Sequence, residues 1–231
     1  MGSGGVGAAM RTVIFDLDGT LADTSADLIA AANGCFRALG HGDMLDPVAD
    51  ATVAFRGGRA MLRLGFSRLG REGEALVDAE YPRLLALYEA GIDVHTRLYP
   101  GAFEAVEALG RAGYLLGVCT NKPEGMAETL LTRLGVRGLF GSLVGADTLP
   151  VRKPDPAPYR AAVERAGGNV ARSVLVGDTE TDSATARAAG VPVILVGFGP
   201  EGAGVAALEP DALLPDFAAL PAVVAGLIGG A

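Results

Sequence analysis

Long apolar runs, clustered cysteines and basic stretches are all scarce in this chain of 231 residues, and each scarcity removes a class of protein. The apolar end, 220–231, contains Pro221 and three glycines and is far too short to cross a bilayer, so no membrane partner is expected. Cys35 and Cys119 are far apart and lack metal-type spacing, which reads as reduced, buried small hydrophobes in a cytoplasmic protein. The two histidines, His41 and His95, lie in apparent loops and read as surface residues rather than ligands. A formal charge of -8 and a pI near 4.8 argue against a nucleic-acid partner, and an anionic substrate would need locally placed cations. The first residues lack the basic segment and apolar stretch of a secretory signal, so 1–10 is expected to be a disordered or tag-like tail.

Against that background one stretch stands out. Val13-Ile14-Phe15-Asp16-Leu17-Asp18-Gly19-Thr20 is an apolar run ending in two acids one residue apart. The run reads as a strand buried on both faces, and a doubly wound sheet binds its ligands beyond the carboxyl ends of such strands. In extended chain, residues two apart point the same way, so the two carboxylates crowd one volume unless a cation or proton separates them. Hard oxygen ligands suit Mg2+. A calcium loop starting at Asp16 fails, because Leu21 stands where the turn requires glycine and Asp27 where a bidentate glutamate is usual.

Helical spacing follows, from a cap at Thr24 or Ser25 through Leu28, Ile29, Ala32, Phe36 and Leu39, then over 48–55, 60–69 and 74–88. With no strand pattern between, 22–95 reads as a small helical unit inserted after the first strand. The remaining core is 11–21 with 96–231. Strands expected at 114–119, 139–144, 173–176 and 192–196 alternate with helices at 102–111, 123–134, 156–166 and 182–189. That alternation specifies an α/β fold, a doubly wound parallel sheet covered on both faces.

Polar residues gather where that sheet ends: Asp16 and Asp18, Thr120-Asn121-Lys122, Arg152-Lys153 and Asp178 with Asp182. Singly, each has a plain structural explanation as a helix cap, a surface charge or a first-turn acid. Jointly they form the set a phosphoryl-transfer site needs. Mg2+ and Lys153 can neutralise charge, Thr120 and nearby backbone N–H groups can hold phosphate oxygens, and Asp16 can attack phosphorus. Asp18 can protonate the departing alcohol and then deprotonate water.

The segments Phe15-Asp16-Leu17-Asp18-Gly19-Thr20-Leu21, Cys119-Thr120-Asn121-Lys122, Arg152-Lys153-Pro154-Asp155-Pro156 and Gly177-Asp178-Thr179-Glu180-Thr181-Asp182 resemble the four signatures of the haloacid dehalogenase superfamily. The resemblance implies a Rossmann-like core with a helical cap, Asp16 as nucleophile and Asp18 as acid/base. It also implies Mg2+ on Asp16, the Asp18 backbone carbonyl and Asp178, Thr120 on phosphate, Lys153 steadying nucleophile and phosphate, and Asp182 orienting Lys153 or a metal-bound water. The wording most resembles phosphoglycolate phosphatases, implying a small phosphorylated substrate. Asn121 and Lys122 would contact substrate or cap, and a cap arginine, Arg56, could pair with a substrate carboxylate. A sugar-phosphate mutase of the beta-phosphoglucomutase type, another phosphatase acting on nucleotide or pyrophosphate, and a binding module without chemistry are the alternatives. A monomer or homodimer is expected.

Overall fold

The computed structural model describes residues 10–230, so the tail expected over 1–10 lies outside it apart from Met10, which is half exposed. In chain order the elements begin with β1 (Thr12–Phe15), β2 (Ala22–Asp23), α1 (Ser25–Ala38), α2 (Ala51–Ala54), α3 (Gly58–Arg68), α4 (Glu74–Ala90) and β3 (Arg97–Leu98). They continue with α5 (Ala102–Arg111), β4 (Leu115–Cys119), α6 (Glu124–Arg133), β5 (Ser142–Val144), α7 (Pro156–Arg165), β6 (Ser173–Gly177) and α8 (Glu180–Ala189). Strands β7 (Val193–Val196) and β8 (Ala212–Leu214) and helix α9 (Leu220–Ile228) complete the chain.

The expected parallel α/β sheet is present, with strand order β5-β4-β1-β6-β7-β8. Its period of two sorts the side chains: Val13, Phe15, Val174 and Val176 join one apolar cluster, while Ile14 and Leu175 join another on the opposite face. Helices α5 and α9 cover the first face and α7 and α8 the second. Both faces are thus dry, which is why β1 reads as an unbroken apolar run.

Strand β1 lies between β4 and β6, so the chain winds away from it in both directions and leaves a crevice at its carboxyl end. Register sets what meets there. Phe15 pairs with Val118 on one side and Val176 on the other, which brings Asp16 level with Cys119 and Gly177, and puts Thr120 and Asp178 one residue further out.

Two strand pairings depart from expectation. A sixth strand, β8, extends the sheet beyond β7, and β2 pairs antiparallel with β3, so the helical segment leaves and rejoins the sheet side by side. Asp27 fixes that return. Its buried carboxylate accepts the backbone N–H groups of His95 and Thr96 and the Thr96 hydroxyl, which also removes it from any calcium loop. Neither Thr24 nor Ser25 caps α1 through its side chain; the Thr24 hydroxyl is turned to donate to Asp18 and that of Ser25 to Asp23. The helix expected over 48–55 shrinks to α2, and the strand expected from 139 begins only at Ser142, after a turn of 3-10 helix. Within the helical segment α1 packs on α3 and α4, with Phe36 edge-on to Phe66 at 5.2 Å between ring centres. Cys35 and Cys119 are buried free thiols, as expected; His95 is exposed, but His41 is partly buried rather than a plain surface residue.

Candidate active site

Four chain segments meet at the carboxyl edge of the sheet, on the floor of a cavity of about 500 Å³. Asp16, Asp18, Thr120, Asn121, Lys122, Arg152 and Lys153 line the floor, and Arg56, Arg59, Arg63, Tyr81 and Tyr88 line the helical side.

Lys153 is the electrostatic centre. Its buried ammonium lies 3.1 Å from Asp16 Oδ2 and donates to Asp182 Oδ1 at 2.7 Å. Burial alone would lower its pKa, but the two carboxylates hold it above the ordinary lysine range, so Lys153 is charged. Asp182 is fully occupied: Oδ2 accepts the Thr179 backbone N–H at 3.1 Å and the Thr179 hydroxyl at 2.8 Å, capping α8. Burial raises Asp16 to about 7, with Lys153 opposing and Asp182 and Asp18 adding to the rise.

Asp178 supplies the test of a metal. Thr20 donates to its Oδ1 at 2.8 Å, but its buried Oδ2 has no hydrogen-bond partner. Burial first, then the charges of Asp182 and Asp16, push its pKa well up. Carboxylate oxygens of Asp16, Asp178 and Asp182 lie within 4.8 Å of one another. An orphaned buried oxygen among crowded hard donors is what a divalent cation relieves, so the residues fit one. The oxygens of Asp182 are taken up by Lys153 and the α8 cap, and those of Asp16 by Lys153 and the Leu17 backbone N–H, so Asp178 Oδ2 is the unpartnered oxygen of the set.

Gly19 leaves that buried oxygen unobstructed. It holds φ +80°, and a Cβ there would stand 2.2 Å from Asp178 Oδ2. Gly19→Ala is therefore expected to cost roughly 2 kcal/mol or more through the left-handed backbone and the displaced carboxylate. Thermal unfolding should show a lower Tm.

The loop after β4 divides its tasks. Thr120 is buried beside the cavity with its hydroxyl accepting the Lys122 backbone N–H at 3.1 Å. Asn121, expected to contact substrate or cap, donates its amide to the Lys153 carbonyl at 3.0 Å and ties two loops together. Lys122 likewise turns its ammonium to Asp18, at 2.8 Å, and to the hydroxyl of Tyr88. Burial pushes the Cys119 thiol up to about 12, so it is no nucleophile near neutral pH. Arg59 is paired with Asp78 at 2.5 Å and stacked on Tyr81, and Arg63 with Glu74 at 2.5 Å. Arg56 reaches only Glu201 among the described residues, at 3.6 Å and exposed, so it is the loosest of the three arginines on the helical side. Sequence reasoning gave no part in the site to Thr20, Thr24 or Tyr88, reading Thr24 only as a helix cap. The first two stand within or just after the first acidic motif; nothing in the sequence marks Tyr88.

A parallel sheet with this acidic edge and buried lysine defines a class. The model of the haloacid dehalogenase-like hydrolase family matches residues 13–196, and the chain belongs to that family. It is 42% identical over 220 residues to the phosphoglycolate phosphatase of Agrobacterium fabrum, covering 93% of each chain. With that of Rhodospirillum rubrum it shares 40% over 217 residues, 91% of this chain and 89% of the relative. Among solved structures it resembles a protein of Haemophilus somnus described as a predicted phosphoglycolate phosphatase. The TM-score is 0.81 at 27% identity, covering 91% of this chain and 96% of the other. Among the described residues no helix is long and apolar enough to cross a membrane.

Proposed function

We propose that the chain is a magnesium-dependent phosphatase that hydrolyses phosphoglycolate, or a small carboxylated phosphate monoester like it, through an aspartyl-phosphate intermediate on Asp16. The observation that carries this reading is the pairing of Asp16 with Lys153 at 3.1 Å beside the orphaned oxygen of Asp178, all at the floor of one cavity. The names of the relatives support the substrate. Two free, buried cysteines fit a reducing compartment, the cytoplasm.

Asp16, Asp178 and the Asp18 backbone carbonyl would hold Mg2+, which supplies positive charge to the phosphate oxygens when bound. Lys153 adds a second positive charge from the protein, and Asp182 keeps it aimed. Thr120 and the backbone N–H groups after β4 take the remaining phosphate oxygens. Asp16 forms a bond to phosphorus as the ester oxygen leaves with a proton from Asp18. Asp18 then takes a proton from water, whose oxygen attacks phosphorus and frees Asp16 and inorganic phosphate. The helices over 22–95 form a cap that excludes bulk water, and Arg56 pairs with the substrate carboxylate.

A panel of phosphate esters tests this reading. With magnesium present, phosphoglycolate should be cleaved far faster than ethyl phosphate, and EDTA should remove activity reversibly. Equal rates on the two esters would sink the carboxylate contact, and full activity in EDTA would sink the metal. Isomerised sugar phosphate without released phosphate would favour the mutase instead.

A further inference from the structure

The steps above leave one buried cation without a task. The Lys122 side chain is 4% exposed, and its Nζ lies 2.8 Å from Asp18 Oδ1. It also donates to the Tyr88 hydroxyl at 2.8 Å and stands 4.3 Å from the centre of that ring. Tyr88 is itself buried, in the last turn of α4, 34 residues earlier in the chain. Burial opposes a charge on Lys122, but Asp18 and Tyr88 hold it above the ordinary lysine range.

Thr24 donates to the same Asp18 oxygen, Oδ1, at 2.6 Å. Two donors on one oxygen fix the rotation of the carboxyl group. Its other oxygen takes no hydrogen bond among the described residues, and Asp18 lines the cavity. One oxygen is anchored, and the other is left to exchange a proton with whatever occupies the site.

We infer that Lys122 and Tyr88 are positioning residues for Asp18, so that the helical segment contributes, through Tyr88, to aiming the acid/base of the core. The inference rests on the acid/base reading of Asp18. Lys122 then acts on the leaving group through Asp18 rather than by touching substrate.

The dependence on leaving group separates these roles. Benzyl phosphate and p-nitrophenyl phosphate are similar in size and carry no carboxylate, but benzyl alcohol needs a proton as it departs and nitrophenolate does not. Tyr88→Phe keeps the ring, and Lys122→Met keeps most of the length without the charge. Each is expected to lower kcat/KM for benzyl phosphate about tenfold or more, and for p-nitrophenyl phosphate by less than about threefold, approaching the pattern of Asp18→Asn. Equal losses on both esters, or a change confined to KM, would overturn the inference and leave the phosphatase reading standing. Asp16→Asn as active as the parent on both would overturn that reading as well.

Discussion

Asp16→Asn should abolish hydrolysis of every ester the parent cleaves, a loss of roughly 10⁴-fold or more, while the protein stays folded. The amide keeps the shape of the side chain but cannot form the acyl phosphate, and the second chemical step then has nothing to act on. Binding should largely survive, because Lys153 and Thr120 are untouched, so the variant should still be protected thermally by a substrate it cannot turn over. Stability separates this loss from unfolding. In metal-free protein, burial lifts Asp16 from its ordinary 3.8 to about 7. The folded state therefore binds a proton that the unfolded chain has already released, and the parent loses stability as pH rises between those values and does not regain it above. Asparagine carries no such proton. In EDTA the Tm of the variant relative to the parent should rise from pH 5 to pH 8, and a difference that fell over that range would contradict the burial of this carboxyl. Wild-type turnover in the variant would end the covalent mechanism outright.

What the sequence made legible follows from how far apart interacting residues lie. Strand β1 could be read because burial on both faces leaves its mark on consecutive residues, and the placing of Asp16, Thr120, Lys153 and Asp178 at one edge followed from the geometry of parallel sheets. The two-residue strands β2 and β3 are too short to show any period, and β8 is three residues without a pattern of its own. Side-chain partnerships were harder still. Thr20 and Asp178 are 158 residues apart, and Lys122 and Tyr88 are 34 apart on different elements. A short motif suggests which residues gather but not which oxygen a lysine takes. Thus of Asn121 and Lys122, expected to contact substrate or cap, Lys122 meets the helical segment at Tyr88 as well as Asp18, while Asn121 donates to a loop carbonyl. Thr24, expected to cap α1, stands at its N-terminus but turns its hydroxyl to donate to Asp18 and accepts no N–H of the helix.

Lys153→Met should show the other large effect, and it tests charge rather than covalent chemistry. The parent buries one ammonium between two carboxylates, Asp16 and Asp182, with side chains 1%, 13% and 0% exposed respectively. Methionine fills much of the volume but leaves two negative groups facing each other without a counter-charge. Breaking a buried pair in this way costs about 3–5 kcal/mol, which for a chain of this size is a fall in Tm of roughly 6–20 °C in EDTA. Catalysis should fall about 10²–10³-fold, the usual effect of removing one charge aimed at the reacting group. Magnesium should then restore more stability to the variant than it adds to the parent, because the cation meets carboxylates that Lys153 no longer neutralises. A structural lysine with no electrostatic part in the site would give the reverse: lost stability that magnesium does not restore, and activity falling only as far as the folded fraction. The divergence of the two melting curves on adding magnesium is therefore the decisive reading, since it depends on the charge shared by Asp16, Asp178 and Asp182 and not on packing alone.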